Sequence, residues 1–547
     1  MSVIPPSAAP PSSVTGLAPY AGAWTQQQAA HLLRRTTFGP TRDEIRSAII
    51  NGMNATVSQL LSPIPLPAPP INHYYSGDPY VPIGATWINQ PYSNNTAVNT
   101  YRSKSLRGWF FRSIQEGPEG VEPTQRVNIR DKMLLFWNNH FGMSDIGDHR
   151  VQYDYITLFR NYATGNFRDL VKEVTIHPSM LKFLNGDQND KFSPNENYAR
   201  ELLELFTIGK GAQVGPGDYT NYTEQDVMEM ARVLTGWRTS GYWSTNPNDL
   251  PNSWFEPGVH DTGNKTLSHR FDNSVITNGG QNEYAQLIDL IFTKDEVARF
   301  ICRKLYRYFV YYQIDEEIES LIIEPLANQL IANDYSLAPI LETLLKSQHF
   351  YDIGMAGDVI KNPMEFLLSI TRPLQWGNDF DTQLKYDAGE AMYWWSGQID
   401  MDFLYPPSVS GWKAWHLAPS YNRLWLNGTT LQLRTQVSNA AAHNGIWVSG
   451  GPRSFNWLAF IENFDNPFDP NDLVWEFAEI FLPQQLRQAQ LDGLKAILIP
   501  GLPDFEWTDE YGLHIINPED SMLRTSVENK LKSLARALFQ MAEFHLN

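Results

Sequence analysis

A single cysteine, Cys302, stands in a chain of 547 residues. That excludes an intramolecular disulfide and any zinc or iron–sulfur site built on clustered thiolates. No block of basic residues is present, and 42 Lys and Arg against 60 Asp and Glu leave a net charge of −18. Binding to nucleic acid through its phosphates is therefore not expected. No apolar run approaches the roughly 20 residues of a membrane-spanning helix, so no span is expected either. Charged residues make up only 19% of the chain, below the usual quarter. Aromatics, at 13%, take their place, and so long and apolar a chain has enough material for a large core. Met1 to Ala23 contain neither Lys nor Arg and no apolar stretch. They read as an extended Pro/Ser-rich arm (1–23) without the physics of a signal peptide.

The rest of the chain is punctuated for helices. Thr25 caps a segment reaching Arg35, Gly39-Pro40 stops it, and Thr41 caps the next, Arg42 to Asn51. Further helices are expected over 97–115, 124–141, 151–162, 167–176, 195–208 and 224–235, across much of 283–345, and over 363–371 and 521–544. Pro, Tyr and Asn crowd the stretch 62–99, an ordered loop insertion, and turn residues fill 237–280, where a small hairpin fits. Strands do not alternate with helices. The expected fold is mainly α: a large multi-helix core domain over 24–430 with long loops and a β-hairpin excursion, and a C-terminal helical part, 431–547, packed on it.

The short motifs with known mechanics are missing: no Walker loop, dinucleotide Gly fingerprint, Gly-x-Ser-x-Gly or His-Glu-x-x-His occurs. Asp187-Gln188-Asn189-Asp190 with Glu196 lacks the central Gly of an EF-hand and places its Glu too early. Chemistry must be sought in polar residues on faces written for burial. In Asn195 to Leu205, Glu196, Arg200 and Glu204 follow at i, i+4 and i+8, with Glu201 one turn from Glu204. Such a face is either an Arg-centred ion-pair ladder or a set of carboxylates for a metal or for acid–base work. His140 shares a helix face with Met133, Phe136 and Trp137, and is either a hydrogen-bonded core histidine or a ligand. Lys304 lies on the stripe Val297, Phe300, Ile301, Leu305, Tyr308. An ammonium there must snorkel or pair, with Glu201 and Glu204 as the obvious partners. His260-Asp261 with Lys265 emerge together from one loop, as an Asx-type turn or as working groups.

These strings in succession resemble the bacterial family called domain of unknown function 1800. The matching pieces are His31 to Gly39, Phe136 to Phe141, His177 to Leu181, Asn195 to Leu205 and Tyr222-Thr223 with Asp226-Val227. Leu234 to Trp237, His260-Asp261 with Lys265, Arg303 to Leu305, and Pro406-Pro407 with Gly411-Trp412 complete the run. A glycine expected after Lys265 is replaced near Ser268-His269, and the usual secretory leader is absent from the residues as written. The resemblance implies a bacterial, largely helical protein whose gene often neighbours that of a sulfatase-like partner. It carries no settled activity. As written the chain is expected in the cytoplasm; with a leader removed, in the periplasm or outside the cell.

Two functional readings follow. In one, a buried Glu/Arg/His/Lys network fixes a helical scaffold that binds a polysaccharide or an envelope partner. In the other, the same groups form a hydrolase. Glu196, Glu201, Glu204, Arg200, Lys265 and Lys304 would then be catalytic, and His140, Glu201, Glu204, His260 and Asp261 would be ligands of a divalent metal ion.

Overall fold

Left-handed Gly39 and the proline after it end the first helix, as the sequence predicts, because no helical hydrogen bond can form through Pro40. In the computed structural model, which describes residues 14–144 and 147–547, α1 is Gln26–Thr36 and α2 is Arg42–Leu61. Thr41 caps α2 by accepting from the Glu44 amide at 3.2 Å, and Glu44 returns the bond to the Thr41 amide at 2.8 Å. Of the predicted arm, residues 1–13 lie outside the described residues. The following stretch runs along the end of the helix Leu337–Lys346, where the Tyr20 amide donates to the Lys346 carbonyl.

Helices α3 (Thr96–Glu116), α4 (Arg130–His140), α5 (His149–Asn161), α6 (Phe167–Ile176) and α7 (Pro178–Phe183) follow. After them come α8 (Glu196–Glu201), α9 (Glu224–Val233), α10 (Glu283–Ile291) and α11 (Asp295–Phe309). The start of α4 departs from the expected 124. Pro123–Gln125 forms a separate turn, and the Asn128 side chain caps the helix by accepting from the Arg130 amide. Nor is α4 amphipathic: Met133, Leu134, Leu135, Phe136 and Trp137 are all buried, so the helix is core on every side. Trp137 stacks on Phe167 at 5.5 Å and donates its indole N–H to the Ala163 carbonyl.

The 62–99 insertion is irregular up to α3, and polar groups clamp it there. Buried Asp78 accepts two bonds from the buried Arg102 guanidinium, at 2.8 and 3.0 Å, and Asn72 donates to the Tyr75 and Val81 carbonyls. The 237–280 excursion holds two antiparallel hairpins: Trp237–Ser240 pairs Asn252–Phe255, and Lys265–Thr266 pairs Val275–Ile276. Two more, Gln213–Gly215 with Asp218–Tyr219 and Ile446–Val448 with Gly451–Arg453, were not expected. The architecture is thus mainly α with small hairpins.

One continuous hydrophobic core runs from Ala29 to Phe544. The later helices reach back to the first ones: Arg34 donates to the carbonyls of Glu479 (2.6 Å) and Ile480 (3.1 Å), and Arg42 pairs with Glu476. At the other end of the chain, Lys361 donates to the Phe544 carbonyl at 2.8 Å. Among the described residues, no helix is long and apolar enough to cross a membrane.

Candidate functional site

The segments singled out in the sequence are neighbours, since α8 packs on α9, α9 on α10 and on the strand carrying Lys265, and α11 on the segment that continues α8. Their side chains nevertheless divide into separate groups. Glu196 and Glu224 both hold Arg200, Glu224 with two bonds of 2.8 Å. The bonds to Glu224 hold the Arg200 guanidinium above its usual range and the Glu224 carboxyl below its own. Glu204 accepts from the Tyr222 hydroxyl at 3.0 Å and faces Lys210 at 3.5 Å. Glu201 makes no ion pair among the described residues, and burial, with Glu204 beside it, raises its pKa. The partner of Arg200 on α9 was not anticipated.

The loop group is a closed knot. His260 Nε2 lies 3.1 Å from one oxygen of Glu283 and Lys265 Nζ 2.5 Å from the other, all three residues being almost fully buried. Burial would raise the Glu283 carboxyl, but its bonds to His260 and Lys265 outweigh that and leave it low. Glu283 is the partner that sequence reasoning missed, 23 residues beyond His260. Asp261 turns away to Arg232 (2.7 Å) and to the amide of Gly263 (2.8 Å), an Asx turn.

Lys304 does not meet Glu201 or Glu204. Its Nζ donates instead to His140 Nδ1 at 3.0 Å and to the Leu205 carbonyl at 2.9 Å, while His140 Nε2 donates to the Phe206 carbonyl at 3.0 Å. The reason lies in the backbone. After Glu201 the helix continues over Leu202–Thr207 as a π-helix and ends at left-handed Gly209, leaving the carbonyls of its last turn for side chains to satisfy. Burial, with Lys304 adjacent, depresses the His140 imidazole well below its usual range. Burial, with Arg307 adjacent, brings Lys304 down to about 7. An amine whose folded pKa is depressed leaves the unfolded chain holding more protons between pH 7 and 10.5. Stability therefore rises with pH across that window. Lys304→Met is expected to flatten this rise, as measured by urea unfolding at pH 7 and pH 10.

A divalent metal at His140, Glu201, Glu204, His260 and Asp261 finds no common donor set, because the residues are divided as described. Among the described residues, no group of three or more His, Cys, Asp or Glu is placed to hold a metal ion.

A spacious concavity lies elsewhere, between the α1–α2 turn, the end of α3, the start of α4 and the residues after the helix Pro363–Thr371. It is a cleft of about 760 Å³. Arg130, Asp131 and Lys132, in the first turn of α4, line it. Three successive helix residues fan over about 200°, so they cannot all face one solvent side. Asp131 accepts from Arg160 at 2.8 Å, and Arg130 donates to the Pro65 carbonyl at 2.6 Å. Burial would raise the Asp131 carboxyl, but Arg160 and Arg130 beside it, with Arg372, hold it below the usual range. Lys132 pairs with Glu365. Arg372 spans from Glu44, at 2.8 Å, to the Gly39 carbonyl, also at 2.8 Å, so the first helix turn is itself a wall of the cleft. A second cavity of about 330 Å³ shares Thr41, Asp43, Gln375 and Asn378 with it and adds Trp376 and Phe380, whose rings meet edge-on. The two adjoin along these shared residues as a groove, polar on the side of Arg130 and Arg372 and bordered on the other by the half-buried Phe380 ring.

The walls of this groove belong to segments scattered over most of the chain, and the comparison with known families covers the same extent. A family described as a protein of unknown function (DUF1800) matches residues 31–545. The chain belongs to the DUF1800 family. Neither a curated protein nor a solved structure matches it. In this DUF1800 protein the string Phe136 to Phe141 makes contacts within the scaffold. Asn138 donates to the Phe403 carbonyl, Asn139 accepts from the Trp412 amide at 2.8 Å, and His140 caps the end of the α8 segment.

Proposed function

We propose that this DUF1800 protein is a binding protein whose groove takes an extended, hydroxyl-rich ligand of the oligosaccharide class. The single observation that carries this reading is the groove itself. A row of ion-paired Asp, Glu and Arg groups, whose remaining lone pairs and N–H groups can bond hydroxyls, adjoins a second cavity that shares Thr41, Asp43, Gln375 and Asn378 with it and carries the half-buried ring of Phe380. Paired charges and amides orient polyols, and an aromatic ring covers the apolar face of a sugar. Asp131, held below the usual carboxylate range by its guanidinium neighbours, would serve there as a hydrogen-bond acceptor.

Asn378 is exposed and lines both cavities, so Asn378→Trp fills the junction without touching the core. Calorimetry against a panel of neutral and uronic-acid oligosaccharides should find at least one binding partner, with affinity for it falling more than tenfold in Asn378→Trp at unchanged thermal stability. A panel without binding, or a variant that binds as the wild type does, would overturn the reading.

A further inference from the structure

Most cations that line the larger cleft have an acid of their own. Arg112 and Lys385 share Glu116, at 2.7 and 2.8 Å, Arg372 takes Glu44, and Lys132 takes Glu365. Two guanidiniums are left over. Arg126 makes no ion pair among the described residues and donates only to the main-chain carbonyls of Val121 and Glu116. Arg130, 6% exposed, spends Nη1 on the carbonyls of Ile64 (3.1 Å) and Pro65 (2.6 Å). The opposite edge of its guanidinium is unused. Nε makes no hydrogen bond, and Nη2 stands 3.8 Å from Asp131, too far for one, and stays open to the cleft. Asp131 is already taken by Arg160 at 2.8 Å. Arg160 Nη1 and Arg372 Nε, from the two other guanidiniums that act on Asp131, are likewise buried without an acceptor. Buried donors are normally satisfied, so their concentration at one wall marks where an acceptor arrives from outside. The cleft's remaining acids, Asp43, Glu119 and Glu122, are exposed and screened by solvent.

We infer that the free edge of Arg130, with Arg126 in the same cleft, receives a carboxylate, and that the ligand of the groove is an acidic oligosaccharide built of uronate units. This rests on the oligosaccharide reading above and adds the charge of the sugar to it. A carboxylate seated on Nη2 offers its second oxygen to Nε, because its two oxygens match the spacing of the guanidinium fork. A cleft of about 760 Å³ is far larger than a lone inorganic anion, so the carboxylate is one substituent of a longer molecule. In a chain of net charge −18 such a ligand is repelled by most of the surface, so the unpaired guanidiniums also select where it binds.

The test uses the full chain and calorimetry with oligogalacturonate, oligoglucuronate and oligomannuronate, each against its own methyl ester, which keeps every hydroxyl and removes the charge. At least one acid should bind about tenfold tighter than its ester. Arg130→Lys keeps a positive charge and donors for the Ile64 and Pro65 carbonyls but has no fork. It should abolish most of that margin and leave the affinity for the ester as it was. An ester bound as tightly as its acid would overturn the proposal and leave the oligosaccharide reading intact. So would an Arg130→Lys protein that keeps the preference, or one that loses acid and ester equally, which is the mark of a loosened wall. Binding of neither form in all three series would also overturn it, and neutral oligosaccharides then decide the broader reading separately.

Discussion

Replacing Glu365 by Gln is expected to destabilise the fold by about 3–5 kcal/mol, as an uncompensated buried charge does. One oxygen of this carboxylate pairs with buried Lys132, and the other accepts from the Asn362 amide at 2.9 Å and the Asn547 side chain at 2.9 Å. Its negative charge also supports Arg35, Lys361 and Arg434, cations that burial drives below their usual ranges. A Gln side chain keeps the shape but offers one oxygen and one NH₂ group. Whichever way it turns, donor faces donor at Lys132 or at Asn362. The urea midpoint should fall sharply in Glu365→Gln. The double variant Lys132→Met/Glu365→Leu should lose less than the two single changes together, because it removes the charge along with its partner. A Glu365→Gln protein within about 1 kcal/mol of the wild type would show that the surrounding cations are satisfied without it.

The second large effect is expected at Gly411. Its φ of +77° lies in the left-handed region, and a Cβ there would collide with the backbone carbonyl and the side-chain oxygen of Asn139. That carbonyl is fixed in α4, and the side-chain oxygen is held by the Trp412 amide. Gly411→Ala therefore meets both the backbone strain and the overlap, a loss of about 2–4 kcal/mol. Gly428 is the control, since a Cβ there meets no atom within 4 Å, and Gly428→Ala should be neutral or slightly stabilising by thermal melting. Equal melting temperatures for the two variants would mean that the 408–412 loop shifts to admit the methyl group.

Where the sequence was legible, the signal was local. The turn at Gly39-Pro40, the cap Thr41 and the bounds of α6 are written in a few adjacent residues. The small hairpins after Thr207 and at 446–453 were not expected, because two or three strand residues carry no period. The π-helical turn that exposes the Leu205 carbonyl is equally silent, and it redirects Lys304 from the carboxylates to a main-chain acceptor. Partner choice in a polar network depends on distances the chain does not print, as Arg200 with Glu224 and His260 with Glu283 show. The groove is the extreme case, because Glu44, Asp131 and Arg372 meet across 328 residues. One hint was present: Arg130, Asp131 and Lys132 stand in a row before a wholly apolar stretch, where some of the charge had to turn inward.

The bonds from Arg34 to residues 479 and 480 also have a consequence in time. At about 5–20 residues per second, the ribosome needs roughly 20–90 s between making the first helix and making the carbonyls that satisfy it. The intervening sequence separation is 445 residues. During that interval the Arg34 guanidinium has no main-chain acceptor for its inward position, whereas Arg35 finds the Met355 carbonyl sooner. The first helix thus reaches its final seat only when the chain is nearly complete.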